Sequence, residues 1–246
     1  MTTLAAHDTP LHPYATLTPD LVLDALASVG LHALGAYENR VYQVTLEDGS
    51  RVVAKFYRPG RWSEAQILEE HAFALELAGA EVPVVAPLLL QGRSLHRHAG
   101  FDFAVSPWRG GRMPELDDFE VLEWLGRYLA RIHNVGAARP FVHRPRLDLP
   151  GFGQEPRDCL LGAQAIPMDQ QSAWRDACDE ALELIAAGAG PSSTGGLFGL
   201  KDATTIRLHG DCHPGNLLYR DERFHIVDLD DCRMGPAVQD LWMLLA

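Results

Sequence analysis

Apolar residues alternate with polar ones through much of the first hundred positions, then recur every three or four positions for a long stretch afterwards. Beyond Thr18 the apolar residues Leu21, Leu23, Leu26 and Val29 predict a short helix, with Thr18 or Asp20 as its cap. Two strand-like runs follow, Arg40–Leu46 and Arg51–Tyr57, divided by Glu47-Asp48-Gly49-Ser50. Two β-rich runs split by Asp-Gly predict a hairpin. A helix opens after Ser63, its stripe made by Ile67, Leu68, Ala72, Leu75 and Leu77, and ends near Gly79. Pro83 and Pro87 bracket a short extended piece, and Phe101–Val105 alternates as a strand should.

Pro107 and Gly110-Gly111 break that pattern, and the character turns helical. Phe119, Leu122, Leu125, Leu129 and Ile132 form a stripe ending near Gly136. Residues 137–168 are rich in Pro and Arg and read as irregular, Ala173–Ala187 as a second helix, and Gly188–Gly199 as a mobile loop. Leu217–Tyr219 and Phe224–Val227 predict a second hairpin. The organisation is α+β. Residues 1–18 are a loose leader, 19–106 a small antiparallel β lobe with one inserted helix, and 107–246 a mainly helical lobe.

Composition narrows the class. With 47% apolar and 22% charged residues the 246-residue chain is an ordinary globular one, not a disordered or fibrous one. Its formal charge of −12 repels nucleic acid and anionic membrane at long range, so neither is expected as a partner. No apolar run is long enough to span a bilayer, which takes about 18 residues. Met1-Thr2-Thr3-Leu4 carries no basic residue ahead of an apolar core, so no signal peptide is expected and the setting is cytoplasmic. Cys159, Cys178, Cys212 and Cys232 form no C-x-x-C pair and read as reduced thiols. Of the 21 basic residues two are lysines, Lys55 and Lys201. Against such an arginine bias a lysine points to chemistry that needs a compact, flexible charge.

The sharpest segment is His209-Gly210-Asp211-Cys212-His213-Pro214-Gly215-Asn216, followed after the hairpin by Asp228-Leu229-Asp230. Two carboxylates and an amide oxygen, Asp211, Asp228 and Asn216, are hard ligands suited to Mg²⁺. Each alone is as well explained by turn closure; the ordered set is far less common by chance. It resembles the kinase-like fold, H-x-D-x₄-N and then a metal-binding Asp. The Gly after His209 is similar to the aminoglycoside-phosphotransferase and choline-kinase branch. That resemblance implies that Asp211 accepts the proton of the attacking hydroxyl, while Asn216 and Asp228 hold Mg²⁺ on the nucleotide phosphates. Lys55, at the end of its strand, matches the lysine that reaches the α/β-phosphates, with Glu70 as its partner and Glu69 as the fallback. Asp240 either steadies the catalytic loop or caps a helix.

Several longer runs narrow the resemblance. They are Tyr37–Tyr42, Val53–Pro59, Gln66–His71, His143-Arg144-Pro145, Leu208–His213, Val227–Asp231 and Gly235–Trp242. Through them most of residues 18–246 resembles the bacterial stress-response kinases, serine/threonine protein kinases on the aminoglycoside-phosphotransferase-like fold. The resemblance implies a two-lobed protein-kinase-like fold with ATP bound between the lobes and Mg²⁺ as cofactor. It further implies transfer of the γ-phosphoryl group to protein Ser/Thr hydroxyls in a stress response; a monomer is expected.

Three departures stand out. Leu34-Gly35-Ala36 has no G-x-G-x-x-G, and Ala36 stands where the family usually has Ser. Ala36 keeps its N–H for the nucleotide but lacks a hydroxyl, worth about 0.5–1.5 kcal/mol. Residues 188–203 are longer and richer in Gly than the family's link into the catalytic loop. The chain stops at Met243–Ala246, inside an expected helix, where the family continues with further C-lobe helices. The helical lobe therefore reads as truncated, with Leu241, Trp242, Leu244 and Leu245 exposed.

Other residues carry two readings. Trp108 either lines the adenine pocket or packs a lobe interface. Arg40, Arg58, Arg61 and Arg233 either meet phosphates or are solvated charges. Asp230 and Asp231 are either partners of the metal site or loop charges, and His209 braces the loop by hydrogen bonds. Two rivals remain: a small-molecule hydroxyl kinase, which uses the same ATP motifs, and a nucleotide-binding pseudokinase. A metal hydrolase built on His209 and His213 is a distant third, because no further His cluster completes its site.

Overall fold

The computed structural model describes residues 12–36, 38–188 and 204–244. Most of the leader, Tyr37, the Gly-rich segment 189–203 with Lys201, and residues 245–246 lie outside the described residues. The chain divides into two compact units, Met1–Leu75 with Val85–Gly110 and Glu76–Val84 with Gly111–Ala246.

In the first unit α1 (Pro19–Leu26) starts at Thr18, whose hydroxyl accepts from the Leu21 N–H at 3.3 Å. Ala27 turns left-handed (φ 46°) and its N–H returns to Asp24 and Leu23, which ends the helix. The expected extension through Val29 is therefore wrong: Val29 is 67% exposed in β1 (Ser28–Leu34), an edge strand absent from the sequence reading. β2 (Arg40–Leu46) and β3 (Arg51–Phe56) form the expected hairpin, with Gly49 at φ 80° in its turn. α2 (Glu64–Gly79) is capped as expected, the Ser63 hydroxyl accepting from Gln66 N–H at 3.3 Å. β4 (His96–His98), also unforeseen, and β5 (Phe101–Pro107) complete an antiparallel sheet in the order β1-β2-β3-β5-β4.

The strand period of two sorts the sheet's side chains. Val52, Ala54 and Phe56 join Phe101, Phe103, Val105, Val22 and Tyr14 in one core, where Phe56 stacks on its cross-strand partner Phe103 at 5.1 Å. Tyr14 is buried there and donates to the Phe56 carbonyl at 3.2 Å, and Leu17 packs against the same core, so these two residues of the expected leader belong to the packing. The alternate positions carry Lys55 and, one residue past β3, Tyr57, which packs with Ile67 of α2 and Ala104 of β5.

In the second unit α3 (Phe119–Ala137) is capped by Asp118 and buries Val121, Leu125, Leu129, Ile132 and Gly136 on one stripe. Residues 137–168 are not wholly irregular: a π-helical turn at Pro150–Gln154 leads into α4 (Glu155–Gly162). α5 (Gln171–Gly188) follows. β6 (Thr205–Leu208) pairs antiparallel with β9 (Arg233–Pro236), neither foreseen, around the expected hairpin of β7 (Leu217–Arg220) and β8 (Arg223–Ile226). The short α6 (Val238–Trp242) closes the described chain, with Leu241 and Trp242 about half exposed. Gly136 lets α3 lie against β6, since a Cβ there would sit 2.1 Å from the Arg207 carbonyl oxygen. Among the described residues no helix is long and apolar enough to cross a membrane.

Candidate active site

Each unit holds one cluster of the residues singled out by the sequence. In the first, β3 carries Lys55 and α2 carries Glu70, and the Lys55 ammonium meets the Glu70 carboxylate at 3.4 Å. Both side chains are largely buried, at 15% and 7% exposure. This is the pairing expected from the sequence, with Glu70. Ala36 is exposed at the end of β1, and Tyr37 beside it lies outside the described residues. Glu38 binds Arg58 at 2.7 Å and Arg61 at 3.2 Å, while the Arg40 guanidinium covers the Tyr14 ring at 4.7 Å. Three of the arginines considered for phosphate contacts thus have protein partners. Trp108 follows β5, and the Arg51 guanidinium lies 4.0 Å from its ring centre.

In the second unit the loop from β6 to β7 closes on itself. A one-turn 3-10 helix at Pro214–Asn216 points the Asn216 amide back, and its Nδ2 donates to the Asp211 carbonyl at 2.8 Å and to Asp211 Oδ2 at 3.3 Å. With nitrogen turned to Asp211, the amide oxygen is the donor left for a hard cation. Val227 N–H donates to the Asn216 carbonyl at 3.0 Å, so the β7–β8 hairpin delivers Asp228 next to the loop. Asp228 is exposed and left-handed (φ 60°, ψ 67°), an uncommon conformation for a side-chain-bearing residue. Burial raises the Asp211 carboxyl above its ordinary pKa; His213 and His209 pull it down, and the charges of Asp231 and Asp228 push it further up.

The loop's backbone is held from below. Asp240 is fully buried and accepts from His209 N–H at 3.1 Å and Gly210 N–H at 2.8 Å, and its Oδ2 also lies 3.0 Å from His133 Nε2. It braces the loop, while α6 starts at Ala237 without a side-chain cap. His209 is fully buried; its Nε2 faces the Val227 carbonyl at 2.9 Å and its Nδ1 accepts from Asp211 N–H at 3.3 Å. Both ring nitrogens are thereby engaged, and His213 Nδ1 accepts from Gly215 N–H at 3.0 Å, so the two histidines are not turned together on a metal. Gly210 sits at φ 86°, where a Cβ would lie 2.2 Å from the Asp231 carbonyl oxygen; no larger residue fits. Burial, then Asp240 and Asp211, drive the Cys212 thiol pKa strongly upward, so it packs as a neutral group.

Two positioning groups, Arg144 and Arg207, had no role in the sequence reading, and a third, Arg233, was read there as a phosphate contact or a solvated charge. Arg144 is buried and donates to the Cys232 carbonyl at 2.9 Å and to the Asp230 carbonyl, gripping the turn after Asp228. Arg233 donates to the Asp231 carbonyl at 2.7 Å and to its carboxylate at 2.9 Å, which is where the structure puts that fourth arginine. Arg207, 2% exposed on β6, meets both oxygens of Glu76 at 2.8 and 3.0 Å and the Val135 carbonyl at 2.7 Å. The usable signal for Arg207 was a charge set inside the apolar run Ile206-Arg207-Leu208; Arg144 sits within a run already singled out.

The donor set fits a small hard cation. Among the described residues no group of three or more His, Cys, Asp and Glu is arranged to hold a metal alone. A carboxylate from Asp228 with the amide oxygen of Asn216 leaves most positions to water and phosphate, the habit of Mg²⁺.

Residues 31–246 match the model of the phosphotransferase enzyme family. Stress response kinase A of Escherichia coli strain K12 is 48% identical over 238 residues, 94% of this chain and 69% of that protein. A Salmonella typhimurium protein named serine/threonine protein kinase RdoA is 47% identical over the same shares. Among solved structures, the amicoumacin kinase hAmiN in complex with AMP-PNP, Ca²⁺ and Ami superposes with a TM-score of 0.70 at 23% identity, over 92% of this chain and 68% of that one. A microcompartment-associated aminopropanol kinase follows at 0.63 and 17%, over 92% and 74%. A choline/ethanolamine kinase family protein from Mesorhizobium loti gives 0.52 and 20%, over 92% and 69%. These three likenesses establish the kinase-like fold.

Proposed function

The chain belongs to the phosphotransferase enzyme family, and from that premise we propose that it moves the γ-phosphoryl group of ATP to Ser or Thr hydroxyls of proteins, in a bacterial stress response. The observation that carries the reading is the closed Asp211–Asn216 loop: a carboxylate of raised pKa, aimed by an amide, beside Asp228. Asp211 accepts the proton of the attacking hydroxyl. Its raised pKa brings it nearer working pH and makes it a better base than a free carboxylate. Asn216 and Asp228 hold Mg²⁺, which, when bound, neutralises charge on the phosphate oxygens. Lys55, aimed by Glu70, receives the α/β-phosphates; Ala36 offers its N–H, and Trp108 borders the adenine. Asp240 and His209 keep the loop in shape. The protein acceptor rests on the names of the two curated relatives. The named structural neighbours favour the second reading, a small alcohol as acceptor on the same ATP machinery.

Transfer of labelled γ-phosphate from Mg-ATP tests this, with a Ser/Thr-rich protein and a panel of small alcohols as acceptors and Asp211→Ala as control. Label on Ser or Thr that falls about 10²–10⁴-fold in the variant is expected. Label on a small alcohol alone establishes the second reading. Nucleotide binding without turnover on any acceptor overturns both and leaves a pseudokinase.

A further inference from the structure

Beside the Lys55–Glu70 pair lies a buried chain of polar groups that phosphoryl transfer as described leaves unused. Lys55 and Tyr57 are two apart on extended backbone, so they share a face of the sheet, and the Lys55 ammonium lies 5.0 Å from the Tyr57 ring centre. The Tyr57 hydroxyl meets His71 Nε2 at 2.7 Å, and His71 Nδ1 meets the Ser94 hydroxyl at 2.9 Å. Tyr57, His71 and Ser94 are all at least nine-tenths buried. Burying three polar groups in a row is tolerated only where they satisfy one another, and the result is a ring with little freedom to turn.

We propose that Tyr57, locked by His71 and Ser94, is a positioning residue that holds the Lys55 ammonium for the nucleotide phosphates; this rests on the reading of Lys55 given above. The Glu70 contact, at 3.4 Å, is longer than the roughly 2.7–2.9 Å of a tight charge-assisted bond, so it does not by itself fix the ammonium. An aromatic face attracts the charge without accepting a hydrogen bond, which leaves the N–H groups available to phosphate oxygens. Glu70 and His71 are adjacent on α2. One helix therefore addresses Lys55 twice, through Glu70 directly and through His71 by way of the Tyr57 ring.

The two-lysine sequence makes the test direct. Lysine labelled with ¹³C at Cε gives two side-chain signals in the full-length protein, and Lys55→Met identifies the Lys55 one. That signal is expected upfield, under the ring current of Tyr57. It should keep most of its displacement in Tyr57→Phe, lose part of it in His71→Asn, and return to the random-coil position in Tyr57→Leu. Binding of Mg-ATP, measured by calorimetry, should weaken about three- to tenfold in Tyr57→Leu and less in Tyr57→Phe. An undisplaced signal in the parent protein, or one unmoved by Tyr57→Leu in a folded variant, overturns the tether. A displaced signal with Mg-ATP affinity unchanged in both Tyr57→Leu and Lys55→Met overturns instead the assignment of Lys55 to phosphate, and the positioning role with it.

Discussion

Asp211 pays for its position in folding terms, and that is measurable apart from catalysis. Its carboxyl binds a proton more tightly in the folded chain than in the unfolded one, because burial disfavours the charge. The stability it contributes is fully present below the unfolded carboxylate pKa and is lost as pH rises through the folded value. In the metal-free protein Asp211→Asn is therefore expected to raise Tm near neutral pH, with the gain shrinking as the pH is lowered. A Tm difference that grows on acidification would contradict the burial argument. The residues of this loop were legible in the sequence because H-G-D-x₄-N packs its chemistry into consecutive positions. The groups that hold the loop were harder to read. Arg144 and Arg207 act on backbone carbonyls and a carboxylate 72 to 131 residues away, and no local spacing announces such partners.

At the level of elements, the Glu76–Arg207 pair joins α2 to β6. The hydrogen bond from Arg207 holds the Glu76 carboxyl below its ordinary pKa, burial opposing and Arg139 assisting. Here the sign is the reverse of Asp211: the stability is present above the unfolded pKa and is lost as pH falls through the folded one. Glu76→Gln leaves the Arg207 charge buried and should cost on the order of 3 kcal/mol, toward the lower end because Glu76 is itself 29% exposed. Denaturant unfolding at neutral pH checks it, and the deficit should narrow in acid. The strands that escaped the sequence reading are the short or irregular ones. β6 hides its alternation behind a buried arginine, β9 contains Gly235 and Pro236, and β1 carries a bulge between Ser28 and Gly30. The extents of α2 and α3 and the Asp-Gly hairpin were read correctly, but the two stripes only in part: Leu68 and Ala72 of α2 and Phe119 and Leu122 of α3 are exposed, while Phe73, Ala74 and Val121 are buried in their stead.

Over the whole molecule each compact unit has its own apolar packing and its own share of the candidate chemistry. Ligand linkage then gives a simple expectation. ATP with Mg²⁺ at 100 times its Kd should stabilise the native chain by about 2.7 kcal/mol, seen as a rise in Tm. A chelator should remove most of that rise, and so should Asp228→Ala, while each leaves the ligand-free Tm near its starting value. The α+β class and the kinase-like architecture were legible because family motifs fall in both halves of the chain, Lys55 in one and Asp211 to Asp228 in the other.

Asp240 has a consequence for how the protein is made. The two N–H groups it receives belong to His209 and Gly210, and the His209 contact spans 31 residues of sequence. At roughly 5–20 residues per second a ribosome needs about 2–6 s to travel from one to the other. For most of that interval the nascent chain already holds Asp211 and Asn216 but lacks the carboxylate that braces their loop. The order of synthesis thus keeps the Asp211–Asn216 loop unbraced until its support has been translated, and a part written later sets the shape of a part written earlier.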